Sequence, residues 1–402
     1  MIELKNIKSH FPIFQHHPDL VYLDNAATTQ KPKSVIDAIS NFYEKENANI
    51  HRGIYPLAVS ASQRYEAVRG KVAQFLNAES ADEIVYTSGT TASINLVAHS
   101  FLSPRLEAGD EVIISVMEHH ANLIPWQMTC KNAGAHLRVI PMNQLGELDL
   151  TAFKNMLSSK VKMVAITHIS NSLGTINPIA EMIDLAHQNN IPILVDGAQS
   201  VAHYPIDLQA LEVDFFTFSG HKLFGPTGIG ILYGKKQYLS EMQPYQFGGD
   251  MIKNVTFEET TFADAPQRFD AGTTNIAGVI GLGAAIDFVN ELDRNVVRIF
   301  LKKMESDLAD KLLNVNGLSV VGQAKNKSAI VSFSMENIHP HDIATFLGAE
   351  NIAIRAGHHC TQPVMDFFQI PATTRASFSI YNQAAEVDFF VEKVKEIKQF
   401  FG

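Results

Sequence analysis

Short runs of Ile, Val, Leu and Phe recur along the chain, and each ends in a polar turn. They stand in "DEIVYTSGTTASINLVA", "DEVIISVMEHH", "VKMVAITHISNS", "IPILVDGAQS", "VDFFTFSGHK" and "GIGILYG". The apolar positions are continuous within each run instead of alternating with polar ones. That is the mark of strands buried on both faces, so the pattern predicts a mainly parallel sheet covered by helices. Between the runs lie stretches of helical period. In "ASQRYEAVRGKVAQFL", Tyr65, Val68, Val72 and Phe75 share one stripe. The run from Ile276 to Ile286 is rich in Gly and Ala, which suits close helix packing.

After about residue 280 the pattern changes. A long helical stretch, "VVRIFLKKMESDLADKLL", leads to a strand "SAIVSFSM", a helix from His341, a strand "IAIRAG" and a last helix with Phe390, Val394, Ile397 and Phe401 on one face. This predicts a smaller α+β domain. The expected division is 20–280 for the large domain, and 1–19 with 281–402 for the small one.

Composition narrows the setting. With 402 residues, 46% hydrophobic and 18% charged, the chain can bury a sizeable core. A net charge of −10 without a basic cluster argues against nucleic acid and anionic membrane surfaces. No apolar stretch is long enough to span a bilayer, and "MIELKNIKSHF" holds no signal core. Two cysteines, Cys130 and Cys360, form no disulfide framework. A reducing, cytoplasmic location is expected.

The candidate chemistry lies at the ends of the runs, where open α/β sheets bind ligands. Ser88-Gly89-Thr90-Thr91 stands where a strand turns into a helix, and offers N–H groups and hydroxyls to a phosphate. Alone it reads as an N-cap; no Gly-Lys-Ser/Thr follows, as a P-loop requires. Gly228-x-Gly230 precedes a strand, so it is not a dinucleotide fingerprint. His119-His120 and His358-His359-Cys360 lack metal-site spacing, and no metal is expected. Asp196 closes one apolar run, and Lys222 follows another between His221 and a Gly- and Pro-rich turn. A phosphate cradle, a carboxylate, an imidazole and a buried amine on separate strand ends describe one ligand, pyridoxal 5'-phosphate. Its aldehyde needs a lysine, its ring nitrogen a carboxylate, and its phosphate a helix start. Burial lowers the pKa of an amine and makes it a better nucleophile.

Taken with "YLDNAATTQKP", "EHHANLIPW", "SNSLGTINPI", "FSGHKLFGPTGIGILYG", "RFDAGT", "RAGHHCTQP" and "RASFSIYN", these residues resemble the group II, Suf/Csd-type cysteine desulfurases of the class V aminotransferase family. The resemblance implies a pyridoxal-phosphate-dependent transferase of fold type I, with a seven-stranded sheet. It also implies roles. Lys222 carries the cofactor, Asp196 pairs with its ring nitrogen, Gln199 contacts its ring oxygen, and His119 stacks on the ring and relays protons. Thr90, Thr91, Ser219 and His221 hold the phosphate, and Asn171 lies beside cofactor and substrate. Arg375 and Arg355 bind the substrate carboxylate. Cys360 takes sulfur from L-cysteine as a persulfide. Gly272 and Thr273 reach the neighbouring subunit's phosphate in a homodimer. Thr274, Ala92, Asn25 and Thr28-Thr29 depart from the pattern without removing any of these groups.

The implied activity is conversion of L-cysteine to L-alanine. The sulfur passes to an acceptor protein of the SufE, SufU or CsdE type for iron–sulfur cluster assembly. The rivals are a selenocysteine lyase, another class V enzyme such as an aminotransferase or a kynureninase-like hydrolase, and a sulfur-carrying scaffold without catalysis. A cysteine in a loop bounded by Gly357 and Pro363 has no use in transamination, and the Lys222, Asp196 and His119 set argues against a dead scaffold.

Overall fold

The computed structural model describes residues 4–401, so residues 1–3 and 402 of the anticipated small domain lie outside the described residues. Seven strands form the central sheet: β1 (Ile84–Thr87), β2 (Glu111–Ser115), β3 (His136–Ile140), β4 (Val161–Thr167), β5 (Ile193–Asp196), β6 (Phe215–Ser219) and β7 (Gly230–Gly234). Their order is β1-β7-β6-β5-β4-β2-β3. Only β7 runs antiparallel to its neighbours; the other pairings are parallel. β3 escapes the sequence pattern. It is an edge strand, "HLRVI", mostly half-buried or exposed, so it has no continuous apolar run.

Successive residues of a strand point to opposite faces, and here both faces are cores. Val164, Ile166, Val195, Phe216 and Phe218 enter one apolar cluster with the helices Pro56–Leu76, Ile179–His187 and Ile276–Asn290. Met163, Ala165, Leu194 and Phe215 enter the other, with the helix Ile124–Ala133 that carries Cys130. This is why the runs are unbroken. Truncating a fully buried member such as Phe216 to alanine costs about 3–5 kcal/mol. The Gly/Ala-rich helix packs as closely as its sequence implies: a Cβ on Gly283 would lie 2.7 Å from Val68 Cγ2.

A second, antiparallel sheet follows, of β8 (Leu318–Val321), β9 (Ile330–Met335), β10 (Arg355–Gly357) and β11 (Thr373–Ser377), in the order β8-β9-β11-β10. Helices Arg294–Leu313, Pro340–Ala349 and Ala384–Phe401 accompany it. Two expectations need correcting. "IAIRAG" is two strands, because Ile352–Ala353 pairs in parallel with Val21–Tyr22 while β10 pairs with β11. Phe401 does not join Phe390, Val394 and Ile397 in the core. It lies in the final turn and is 48% exposed, with its ring against Phe400 instead. Among the described residues no helix is long and apolar enough to cross a membrane.

Candidate active site

The strands of the central sheet end around a cavity of about 180 Å³. Thr90, Thr91, His119, Asn171, Asp196, Gln199, Ser219, His221, Lys222, Arg355 and Arg375 all line it. Its first wall is the turn after β1. Gly89 has φ +149°, and a Cβ there would lie 3.2 Å from Ser219 Oγ. Ser219 closes β6 and accepts from the backbone N–H of Thr90 at 2.9 Å, with Thr90 Oγ1 also at 2.9 Å. Gly230 starts β7 at this point, and a Cβ on it would lie 2.4 Å from Gly89 Cα. The glycines therefore let two strand ends approach, and leave a cluster of N–H and O–H groups facing one space.

Asp196 is the last residue of β5 and is buried. Its Oδ1 accepts from Ala198 N at 2.9 Å. Burial raises its pKa, and the Ala198 N–H and the Lys222 charge oppose that. Lys222 follows β6 in a short 3-10 turn. Burial pushes its amine down to about 8, and it has no hydrogen-bond partner among the described residues. The backbone just before it is held firmly. The carbonyl of His221 accepts from Thr29 N (3.1 Å), Thr28 Oγ1 (3.2 Å), Thr29 Oγ1 (3.0 Å) and Lys31 Nζ (2.8 Å). His119 follows β2. Its Nδ1 accepts from Ala121 N at 3.0 Å, so the ring proton sits on Nε2. Burial, then the nearby Lys222 charge, push its pKa to about 3, which keeps it neutral.

The other wall comes from the second sheet. Arg375 in β11 is buried; its Nη1 donates to Asn171 O and its Nη2 to Asp24 Oδ1, both at 2.9 Å, while Nε has no partner. Arg355 in β10 lines the cavity, and its Nη2 lies 4.0 Å from Cys360 Sγ. Cys360 is half-buried in the turn between β10 and the helix Gln362–Phe368, one residue beyond the lining. Asn171 Nδ2 donates to His359 O at 2.7 Å, and His120 N to Cys360 O at 2.8 Å. His359 and Cys360 have φ +53° and +57°. Neither adjoining histidine ring is hydrogen-bonded to the sulfur: His358 Nδ1 accepts from Cys360 N, and His359 Nε2 is turned to Thr373.

The residues 21–390 match the profile of the class V aminotransferases. A cysteine desulfurase of Escherichia coli O7:K1 is 46% identical over 400 residues, 98% of each chain. The chain belongs to the class V aminotransferase family. Among solved structures, the cysteine desulfurase CsdA of Escherichia coli is similar over 100% of both chains, with 39% identity and a TM-score of 0.93. A cysteine desulfurase of Thermococcus onnurineus is similar over 100% of this chain and 99% of that one, with 34% identity and a TM-score of 0.95.

For a class V enzyme, the cavity fits pyridoxal phosphate. Donors from Thr90, Thr91, Ser219 and His221 gather at one end for an anion. The carboxylate of Asp196 lies at the tip of β5, and the amine of the half-buried Lys222 lines the cavity without a hydrogen-bond partner among the described residues. Gln199 keeps one amide hydrogen on Ala26 O at 2.8 Å. His359, set aside in the sequence as a metal ligand, lines the cavity too, as do Ala26 and Thr167, which were not singled out there. Neither was Asp24, which orients Arg375. Nor was Glu118, the fully buried neighbour of His119 in the chain, whose acid burial pushes up to about 8. Thr273 is exposed and does not line the cavity of its own chain. Among the described residues no cluster of His, Cys, Asp or Glu could hold a metal.

Proposed function

We propose that this protein is a pyridoxal-phosphate-dependent cysteine desulfurase, with Lys222, His119 and Cys360 as its catalytic residues. The observation that carries the reading is a thiol, Cys360, beside Arg355 at the edge of a cavity lined by the amine of Lys222. When bound, the cofactor supplies an electron-poor ring that draws electrons from the substrate's Cα. Lys222 Nζ, pushed to about 8, is readily neutral, the form that bonds a carbonyl carbon. Asp196 holds a proton on the ring nitrogen by charge. Thr90, Thr91, Ser219 and His221 hold the phosphate, and Gln199 and Asn171 line the ring. His119 keeps its Nε2 proton toward the site because Nδ1 is occupied. Arg355 and Arg375 bind the carboxylate of L-cysteine, and the unpaired Nε of Arg375 is a donor left for it. Cys360 then takes the substrate's sulfur. An S–S bond forms at Cys360 as the C–S bond of cysteine breaks, the carbon takes a proton, and alanine leaves.

The same proposal includes a homodimer in which Gly272 and Thr273 complete the partner's phosphate site, in keeping with their exposure. It includes the division into 20–280, and 1–19 with 281–402, a cytoplasmic location, and a sulfur acceptor of the SufE, SufU or CsdE type that serves iron–sulfur assembly. The test is incubation with L-cysteine, with alanine and sulfide measured with and without a thiol reductant. Mass spectrometry after one turnover without reductant should find an added sulfur on Cys360. Alanine formed while Cys360 stays unmodified would overturn the scheme.

A further inference from the structure

Glu118 is buried without solvent contact and touches none of the cavity-lining side chains proposed above to bind cofactor or substrate. Every polar group against it is a donor. Ser115 Oγ donates to Oε1 at 2.5 Å, and the same hydroxyl oxygen accepts from Met117 N at 3.3 Å. Thr167 N donates to Oε1 at 3.0 Å, and Asn122 Nδ2 to Oε2 at 2.6 Å. The orientation of the Asn122 amide follows from chemistry. An indole N–H can only donate, and Trp126 Nε1 lies 2.9 Å from Asn122 Oδ1, so the amide oxygen faces Trp126 and the NH₂ faces Glu118. Ser115, Asn122 and Trp126 are fully buried too.

These hydrogen bonds bracket His119. Ser115 precedes it at the end of β2, and Asn122 follows it, with Asn122 N donating to His119 O at 2.7 Å. Thr167 closes β4 and stands in register with Asp196 on β5. Glu118 therefore joins the turn that aims His119 to the strand end beside the Asp196 carboxylate. We propose that Glu118 is a positioning residue, which fixes the imidazole of His119 against the cavity through the Ser115–Glu118–Asn122–Trp126 chain. The inference rests on the desulfurase reading for its kinetic consequence, but the hydrogen-bond chain itself stands without it.

The chain makes a swap possible. In Glu118→Gln one acceptor oxygen becomes an NH₂. It meets the NH₂ of Asn122, which cannot flip without setting its nitrogen against the indole N–H. In Glu118→Gln/Asn122→Asp the new carboxylate accepts from both the introduced glutamine amide and Trp126, so the donors and acceptors of the chain match again. Trp126 is the sole tryptophan of the chain, so tryptophan emission comes from the indole at the end of this chain of bonds. The experiment compares the parent, the single and the double variant as holoenzymes, by Trp126 emission without substrate and by alanine formation from L-cysteine. Glu118→Gln should shift the emission and lower kcat by about 10- to 100-fold, the scale of a misplaced catalytic group. KM should hold within about twofold, because the carboxylate-binding arginines are untouched. The double variant should recover the parent emission and most of kcat. A double variant no better than Glu118→Gln in both readouts overturns the proposal, as does a single variant that keeps the parent kcat. A parent protein that makes no alanine refutes the desulfurase reading instead, and the emission swap then decides the chain of bonds.

Discussion

The cavity wall built by the central sheet and the turn that carries Cys360 are made in opposite ways. Asp196, Thr167 and Ser219 are the last residues of strands β5, β4 and β6. Asp196 is paired in register on both sides, to Thr167 and Thr217, while Thr167 and Ser219 are each paired on one side, and their strands lie between two apolar cores. They cannot shift unless the core shifts. Cys360 and His359 instead occupy the left-handed region, which costs non-glycine residues roughly 1–3 kcal/mol each. Their turn is held from outside, by Asn171, by the backbone of His120 and by Thr373. The groups assigned to the cofactor are fixed by the core. The thiol assigned to carrying sulfur away is fixed by a few separable contacts.

The sharpest break in this comparison comes from Lys222→Ala and Cys360→Ala. The first should abolish alanine formation and the absorbance of covalently held cofactor. The second should keep that absorbance, and its change on adding L-cysteine, while sulfide release falls to background. Loss of cofactor absorbance in Cys360→Ala would show that the two regions are not separable.

Acid should act on the core-locked side. His203 is buried and His168 half-buried, and desolvation alone lowers both to about 4. The folded state holds them neutral, whereas the unfolded chain protonates them near 6.5. The stability linked to them is complete above pH 6.5 and is lost as pH falls from 6.5 toward 4. The loss is on the order of 3 kcal/mol per histidine. Glu118 works the other way. Raised to about 8, it favours folding below pH 4.5, and that contribution is lost as pH rises toward 8. Thermal melts at pH 7 and pH 4.5 should differ, and His203→Gln should shrink the difference. An unchanged difference would remove His203 from the account.

Smaller effects should sort by side. Gly89→Ala puts a methyl at φ +149° against Ser219 and should weaken cofactor retention by about 1–3 kcal/mol. Asn171→Ala leaves His359 O without its buried donor, at a cost of about 1–3 kcal/mol. It should slow sulfide release more than it releases cofactor. Equilibrium dialysis of the cofactor and sulfide assays separate the two.

The core-locked side was the legible one. A strand buried on both faces writes itself as an unbroken apolar run, and its polar last residue stands out, as Asp196 and Ser219 do. The edge strand β3 has one poor face and left no such trace. The contacts of Glu118, His359 and Asp24 were illegible for another reason. Each acts through partners that only the fold supplies, such as Thr167 for Glu118 and Arg375 for Asp24. The split of "IAIRAG" likewise depends on Val21–Tyr22, more than 300 positions earlier in the chain.

The four donors on the His221 carbonyl have a consequence for when the site can exist. Three of them come from the side chains and backbone of Thr28 and Thr29 and the fourth from Lys31, about 190 positions before the carbonyl they hold. Asp24, four residues before Thr28, waits for Arg375, 351 positions away. Contacts this distant in sequence close late, after local structure has formed. A ribosome-bound chain that has exposed Lys222 but not Arg375 still lacks one wall of the cavity. Stable capture of the cofactor thus marks a chain that has been made past Arg375.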